Sequence, residues 1–337
     1  MAATLVLLLF SFASFATFNC LASEITSEQI KFWSENVRNK IPAPILKKLS
    51  PLSKNDCYYY SNMMSKNAEF HADAGFCSLA KLACDSALED VKTISNRYTT
   101  EKTYNNNGAT LDVQKNEDPF SFFRLSILKK GNLVHLPNLQ ESLSDTAFLP
   151  LQIASQIPLN IREITKLFPG SAAEGATKET IVNTLSYCNA AAIKGEVKSC
   201  PRSLEEMISF SKSVLGGKRL ISLTSKNNQG SNTNLMVKNV KKFNTDKIVA
   251  CHEAYLPFAA FFCHSLSSTS LYSVDLVEPK STGAPVNTLL AICHMDTSPW
   301  PENHVAFKIL KLRPGEGEAC HWFTQVDLAW ILDRESM

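Results

Sequence analysis

The chain has 337 residues, of which 45% are hydrophobic and 20% are charged, and its formal net charge is +2 at neutral pH. This much apolar material is enough for a packed core and argues against a disordered, collagen-like or multi-pass membrane protein. The 34 basic and 32 acidic residues nearly balance, without the basic excess of a nucleic-acid-binding protein. The composition therefore predicts one or two folded domains with no nucleic-acid partner.

The chain begins with an apolar run from Leu5 to Phe18 and carries no charged residue before Glu24. This run has the length of a signal-peptide core and is shorter than the ~20 residues that a membrane-spanning helix needs. Because small residues precede a cleavage point after Ala22, residues 1–22 are predicted to be a signal peptide. A buried N-terminal helix is the alternative. We expect the mature form to be secreted and to lie outside any membrane.

Export changes the interpretation of the cysteines, because an oxidising compartment favours disulfides. The chain has ten cysteines, and removal of the predicted signal peptide takes Cys20 away and leaves nine. An odd number leaves one cysteine free or linked to another chain.

Residues 23–118 form a polar region rich in Asn, Ser, Lys and Thr. Helical patterns occur at Ser27–Val37 and Cys77–Val91. The segment 95–117 has almost no apolar periodicity, which is typical of a linker.

From residue 119 onward the chain is denser in apolar residues, and residues 119–337 are predicted to form one α+β domain. Ser203 and Glu206 fit a capping box at the start of a helix that Gly216 would end. After Gly217 the apolar residues alternate, which predicts strands. The expected helices are Pro150–Phe168, Thr177–Tyr187 and Leu204–Leu215, and the expected strands include Tyr272–Leu276 and Val305–Ile309.

Four Cys-His dipeptides lie in this strand-rich part, separated by 10, 28 and 25 residues. Neighbouring side chains of a strand point to opposite faces, so each dipeptide can direct its sulfur to one face and its imidazole to the other. Four converging imidazoles would suit a borderline metal, and copper has the highest affinity in the divalent series. Zinc fingers use separated ligand pairs and fit poorly. The dipeptides are Cys251-His252, Cys263-His264, Cys293-His294 and Cys320-His321.

The alternative is that these cysteines form disulfides while their histidine neighbours merely face solvent or pack in the core. Spacing alone does not choose between this and a metal centre, because a metal site depends on geometry.

The four dipeptides and several flanking motifs resemble those of the plant BURP-domain family. The Cys293-to-Trp300 stretch resembles the CHxDTSxW element of that family. This resemblance implies that the α+β domain is a BURP domain whose strand-rich C-terminal part carries the four dipeptides, preceded by helices and an irregular N-terminal region. The other matching motifs are Phe122-Phe123, Leu128-Lys129-Lys130-Gly131, Phe148-Leu149-Pro150 and Cys188…Gly195-Glu196…Cys200…Ser203-Leu204-Glu205.

The N-terminal part is similar to the start of polygalacturonase beta-subunit-like BURP proteins, at Phe32-Trp33, Asn39–Pro42 and Ser50–Ser53. The long Phe/Tyr-Gly-Asn repeats of those proteins are absent apart from a short stretch at Tyr104–Gly108. The resemblance implies a secreted, non-catalytic protein of the apoplast or cell wall. Its implied partners are pectin, polygalacturonase or other wall proteins.

Other BURP proteins are copper-dependent peptide cyclases that crosslink Tyr or Trp side chains within their own precursor, which is the alternative function. Residues 23–118 contain no repeated core peptide, so the non-catalytic interpretation is preferred. The candidate aromatic residues for crosslinking are Trp33, Tyr58–Tyr60, Tyr98 and Tyr104.

The expected site residues follow from the dipeptides and from the resemblance. His252, His264, His294 and His321 are the expected ligands of copper. Cys77–Cys84 and Cys188–Cys200 are expected as local disulfides. Cys251, Cys263, Cys293 and Cys320 are expected to form two more, in one of three pairings. Cys57 would then be unpaired or linked to a partner.

Two other residues have a functional and a structural interpretation. Asp296 would either orient a ligating histidine or close an Asx turn, and the turn is preferred. His304 precedes an expected strand and would be either a fifth ligand or a surface or core histidine, and the latter is preferred.

Overall fold

The computed structural model describes residues 23–67, 69–84, 121–137, 139, 145–171, 175–227, 233–281 and 283–336. The predicted signal peptide, residues 1–22, and the predicted linker, residues 95–117, lie outside these ranges. Within the described ranges, no helix is both long enough and apolar enough to cross a membrane.

The helices lie before and between the strands, and side-chain caps fix where several of them begin. Ser23, Ser53, Asp73, Asn160 and Ser203 each accept a hydrogen bond from the amide three residues on, as N-cap residues do. The helices are α1 (Glu24–Asn36), α2 (Ala43–Leu46), α3 (Lys54–Lys66), α4 (Ala74–Leu79), α5 (Leu151–Ala154), α6 (Ile161–Leu167), α7 (Gly175–Asn189), α8 (Leu204–Leu215) and α9 (Val305–Leu310).

The strands of the described residues form two antiparallel sheets, and the predicted α+β class is confirmed. In the larger sheet the strand order is β1-β11-β10-β9-β6-β2, with β5 also paired to β10, and in the smaller one it is β3-β8-β7-β12-β4. The strands are β1 (Phe122–Phe123), β2 (Leu133–Leu136), β3 (Glu196–Ser199), β4 (Leu220–Leu223), β5 (Lys226–Asn227), β6 (Thr233–Lys242), β7 (Val249–Tyr255), β8 (Ala259–Leu266), β9 (Thr269–Val277), β10 (Asn287–His294), β11 (Ala319–Trp322) and β12 (Leu328–Leu332).

One apolar cluster joins the two sheets face to face. Ala250 and Ala329 of the smaller sheet are buried with Leu271, Leu290 and Ile292 of the larger sheet. The opposite face of the smaller sheet is covered by α1 and α8. The contact between the sheets therefore creates a buried layer in which side chains of both sheets meet.

Three expected elements differ from the observed ones. The expected helix Pro150–Phe168 is two helices, because Pro158 lies between them and lacks an amide hydrogen, and Asn160 caps the second. Of the helix expected at Cys77–Val91, only residues 77–84 lie within the described ranges, and there α4 ends at Leu79 and is followed by Lys81 with a φ of 54°.

The third difference is the strand expected at Val305–Ile309, which was wrong. This segment is helix α9, whose first three residues are buried and whose N-cap is His304. Three alternating apolar residues fit a short helix as well as a strand, so the pattern did not distinguish the two.

The described part of the polar N-terminal region packs on the smaller sheet. The ring centres of Trp33 in α1 and Trp330 in β12 lie 5.5 Å apart, and Val37 forms a parallel bridge with Leu220 of β4. The Lys48 ammonium lies 2.5 Å from the Glu253 carboxylate of β7, and both side chains are only 4% exposed. The described residues of this region therefore share a core with the strand-rich part.

The buried ion pair predicts a strong dependence of stability on both charges. Lys48→Met should lower the free energy of unfolding by about 3–5 kcal/mol, because it leaves the buried Glu253 carboxylate without this ammonium. Lys47→Met, at the exposed neighbouring position, is the matched control and should change stability by less than ~0.5 kcal/mol. Urea denaturation measures both. A loss below ~1 kcal/mol for Lys48→Met would contradict the assigned importance of the pair.

Candidate metal centre

Two disulfides join directly opposed residues of neighbouring strands. Cys251 of β7 faces Cys263 of β8 in the register, and Cys293 of β10 faces Cys320 of β11. Each pair forms a disulfide with a Cα–Cα distance of 4.0 Å. Of the three pairings that the sequence left open, the structure contains this one, with one bridge in each sheet.

The sulfurs and imidazoles of the dipeptides lie on opposite faces, as strand alternation requires. Cys251 and Cys263 belong to the apolar cluster beneath α1 and α8, and Cys293 and Cys320 to the cluster on the outer side of the larger sheet. The histidines lie in the layer between the sheets.

The structure brings the four predicted histidines together. Each ring contacts one histidine of its own sheet and one of the other sheet. His252, His294 and His321 are 0%, 3% and 6% exposed, and the side chain of His264 is 12% exposed. The ring centres are 5.6 Å apart for His252 and His264, 5.3 Å for His252 and His321, 5.9 Å for His264 and His294, and 5.7 Å for His294 and His321.

Aromatic side chains enclose this cluster. Phe323 contacts His252 and His321 at 5.2 and 5.8 Å, and Phe262 lies 5.0 Å from His264. Trp300 packs edge-on against His294 at 5.2 Å. These rings shield the histidines from most of the solvent.

Each of the four Nδ1 atoms faces an oxygen atom. Oδ1 of Asp327 lies 3.6 Å from His252 Nδ1, and Oε1 of Glu196 lies 3.4 Å from His264 Nδ1. The Thr269 hydroxyl is 3.3 Å from His294 Nδ1, and the Trp322 carbonyl is 3.4 Å from His321 Nδ1.

Burial favours the neutral form of three of the imidazoles, those of His264, His294 and His321. It lowers the pKa of His321 to about 3 and the pKa of His294 well below 6.5, and in both cases neighbouring histidines lower it further. Burial also lowers the pKa of His264, against the opposing effect of the Glu196 carboxylate. Neutral imidazole is the form that binds a metal.

The cluster fits a metal ion in chemistry more closely than in spacing. With metal–nitrogen bonds of about 2.0–2.1 Å, the centres of two tetrahedrally bound imidazoles lie about 5 Å apart. The observed separations are slightly larger, and among the described residues no group of three or more His, Cys, Asp or Glu has the geometry of a metal-holding set. Metal binding would require the rings to move inward, and it stays a prediction.

The two residues with alternative interpretations lie outside the cluster. Asp296 is exposed, and its carboxylate accepts a hydrogen bond from the Ser298 amide, as in an Asx turn. His304 caps α9 and packs on Trp300, with ring centres 4.3 Å apart. It precedes a helix and not the expected strand.

Sequence reasoning missed the residues around the cluster. Glu196 belongs to one of the motifs that resemble the BURP family, and nothing else in the sequence pointed to this residue. Asp327 and Thr269 belong to no recognised motif. Their position beside the rings depends on strand pairing across the two sheets.

The structure also contains the two expected local disulfides. Cys77 is bonded to Cys84 and Cys188 to Cys200. Cys57 is free, 2% exposed, and donates its thiol hydrogen to Gln152 Oε1 at 2.8 Å. Burial raises the pKa of this thiol to about 11. A link from Cys57 to a partner would require its helix α3 to move.

We expect Cys57 to be inert in the native mature protein. A thiol reagent such as Ellman's reagent should react with it at least ~100-fold more slowly than with free cysteine, because the reactive thiolate is scarce and shielded. In guanidinium chloride one thiol per mature chain should react rapidly, and Cys57→Ser should remove this signal. Rapid reaction of the native protein would contradict the buried position.

We also expect the metal-free protein to lose stability in acid. A histidine with a lowered folded pKa is protonated first in the unfolded chain, so stability is full above about pH 6.5 and falls as the pH drops toward about 3. Each such histidine contributes about 1.4 kcal/mol per pH unit in this window.

Urea denaturation with a chelator, between pH 7.5 and pH 4, measures this slope. His321→Gln should make it shallower by about 1.4 kcal/mol per pH unit. His71→Gln, at a solvent-exposed position, is the control and should leave the slope unchanged. Equal stability at pH 7.5 and pH 4 would show that the buried imidazoles are not neutral in the fold.

Comparison with known proteins identifies the family of this chain. Residues 121–332 match the model of the BURP domain. The chain is 36% identical over 221 residues to "Polygalacturonase-1 non-catalytic subunit beta" of Solanum lycopersicum, which covers 64% of this chain and 35% of that protein. It is 36% identical over 232 residues to "Polygalacturonase 1 beta-like protein 1" of Arabidopsis thaliana, covering 67% and 37%.

A third relative matches along most of both chains. "BURP domain-containing protein 16" of Oryza sativa subsp. japonica is 29% identical over 322 residues, which is 91% of this chain and 89% of the relative. The chain spans only about a third of the length of the two polygalacturonase-named relatives. The first of those is named a non-catalytic subunit, in agreement with the preference for a non-enzymatic protein. The domain match, which spans more than half of the chain and includes the four Cys-His dipeptides, establishes that the chain belongs to the BURP-domain family.

Proposed function

We propose that this protein is a secreted, non-catalytic BURP protein of the plant cell wall that associates with polygalacturonase, with pectin or with other wall proteins. The observation that carries this proposal is the 36% identity to proteins named as non-catalytic subunits of polygalacturonase. That identity covers 63–64% of this chain, so the proposal rests on the matched part of the chain.

The disulfides support a function outside the cell. Four bridges lie among the described residues, and such bridges persist in oxidising compartments. They restrain the unfolded chain and so favour a fold that endures in the wall.

Binding to the wall components tests the proposal. Secreted protein should co-elute with a catalytic polygalacturonase in size-exclusion chromatography, or be retained on de-esterified pectin. Protein that has been reduced and alkylated is the control and should lose either interaction. A native protein that elutes alone and is not retained on pectin would contradict association with these two partners. Other wall proteins would then be the remaining partners of the proposal, and extraction of the protein from intact walls would test them.

The four converging imidazoles favour one second candidate, a copper-dependent peptide cyclase. Copper bound at this centre would supply one-electron oxidation of a phenol or an indole. The chain's own residues would hold the ion through His252, His264, His294 and His321, and the enclosing aromatic rings would exclude water. The two disulfides withhold all four thiolates, so nitrogen donors remain, and these suit Cu(II).

The candidate aromatic residues differ in accessibility. Trp33 is 2% exposed and packs on Trp330, and Tyr60 packs on Phe76 at 4.3 Å. Tyr58 and Tyr59 are 75% and 57% exposed. Tyr98 and Tyr104 lie outside the described residues. Because Trp33 is buried against Trp330, a crosslink at Trp33 would require α1 to leave the sheet.

Mass spectrometry separates the two functions. After incubation with copper in air and reduction of the disulfides, the non-catalytic protein should show residues 23–118 at unchanged mass. A cyclase would show the loss of two hydrogen atoms in a peptide from this region, with dioxygen as the oxidant. Incubation with a chelator is the control. Loss of two hydrogen atoms that depends on copper would overturn the non-catalytic proposal.

A further inference from the structure

We infer that the four clustered histidines all carry their proton on Nδ1, which leaves four Nε2 lone pairs as the donor set of the cluster, and that Glu196 and Asp327 are positioning residues for two of them. The tautomers are argued from the protein's own contacts. The use of Nε2 to bind an ion rests on the metal centre of the second candidate function.

The hydroxyl of Thr269 determines the tautomer of His294. This hydroxyl donates its hydrogen to the Leu266 carbonyl at 2.9 Å. Only its lone pairs are then available toward His294 Nδ1, at 3.3 Å. His294 must therefore be the donor of this contact, and its proton lies on Nδ1.

The other three partners are acceptors by their chemistry. The Trp322 carbonyl facing His321 Nδ1 can only accept, so His321 donates through Nδ1. The carboxylates of Glu196 and Asp327 lie 3.4 and 3.6 Å from Nδ1 of His264 and His252. These distances are longer than a well-formed hydrogen bond, but the negative charge facing each Nδ1 favours the tautomer that carries its proton there.

Backbone amides hold both carboxylates in place. The Ile193 amide donates to Glu196 Oε2 at 3.1 Å. The Thr324 amide donates to Asp327 Oδ2 at 2.8 Å, and the Glu253 amide donates to Asp327 Oδ1 at 3.3 Å. A carboxylate that the backbone holds can fix the orientation of the imidazole beside it.

His304 lies near the cluster and has the opposite tautomer. The Ala306 amide donates to His304 Nδ1 at 3.2 Å, so this nitrogen carries the lone pair. The neutral ring then has its proton on Nε2. Unlike the four clustered histidines, His304 therefore has no Nε2 lone pair.

The arrangement also supplies a counter-charge. Glu196 and Asp327 bring two negative charges to the outer side of the cluster, which favours a divalent cation among four neutral imidazoles. Carboxylate–histidine–metal contacts of this kind typically change metal affinity by about 10–100-fold.

Nitrogen-15 NMR of protein labelled at histidine tests the tautomers without any metal. At pH 7.5 in chelator, His252, His264, His294 and His321 should show protonated Nδ1 and unprotonated Nε2, and His304 should show the reverse. A protonated Nε2 in any of the four, or the same tautomer in His304, would overturn the assignment.

Single variants test the positioning contacts. Thr269→Val removes the hydroxyl and keeps the shape, so His294 should become a mixture of tautomers. Thr288→Val is the matched control. Thr288 lies on β10, the strand of His294, and its hydroxyl donates to the Asp275 carboxylate of β9 at 2.8 Å. An unchanged His294 spectrum in Thr269→Val would contradict the role of the hydroxyl.

Copper titration tests the positioning carboxylates. Glu196→Gln and Asp327→Asn should each raise the dissociation constant for Cu(II) by about 10–100-fold. Asp145→Asn, whose side chain is 83% exposed, should leave it unchanged. Wild-type protein that binds no copper would reject the metal centre while the NMR result stands on its own. Copper binding that neither carboxylate variant weakens would reject the positioning roles.

Discussion

Adjacent side chains of a β-strand must point to opposite faces, and the rest of this structure depends on that constraint. At four places it separates a cysteine from the histidine that follows. The cysteines meet across strand pairs in register and close one disulfide in each sheet. A shift of one residue in either pair would turn the histidines away from the layer between the sheets. The disulfides therefore fix both the register and the direction of the imidazoles.

The N-terminal region supports this arrangement from the other side of the smaller sheet. Lys48 pairs with Glu253, the residue after His252, and Trp33 packs on Trp330 of the adjacent strand. Asp327 holds the Glu253 amide and also faces His252. The buried ion pair, the strand and the imidazole are thus neighbours in one network. The polar region therefore helps to hold the site in place, even though its apolar pattern is weaker than that of the domain.

Local patterns predicted the features that depend on few residues. Alternation placed the histidines opposite the cysteines, and the Ser203 cap placed the start of α8, although the Glu206 carboxylate pairs with Arg202 and does not close the capping box. The strand at Val305 failed because three alternating apolar residues also fit a short helix. The pairing of the cysteines, the partners Asp327 and Thr269, and the docking of Trp33 depend on contacts between distant segments. No local period encodes such contacts.

X-ray absorption spectroscopy of the protein loaded with one equivalent of Cu(II) tests the central claim most directly, because it counts the atoms around the ion. We expect at least three imidazole nitrogens at about 2.0 Å and no sulfur, since the disulfides withhold all four thiolates of the dipeptides. A sulfur neighbour at about 2.3 Å, or a shell of oxygen atoms without imidazole, would contradict the account. Either result would mean that the sheets do not present four imidazoles as one donor set.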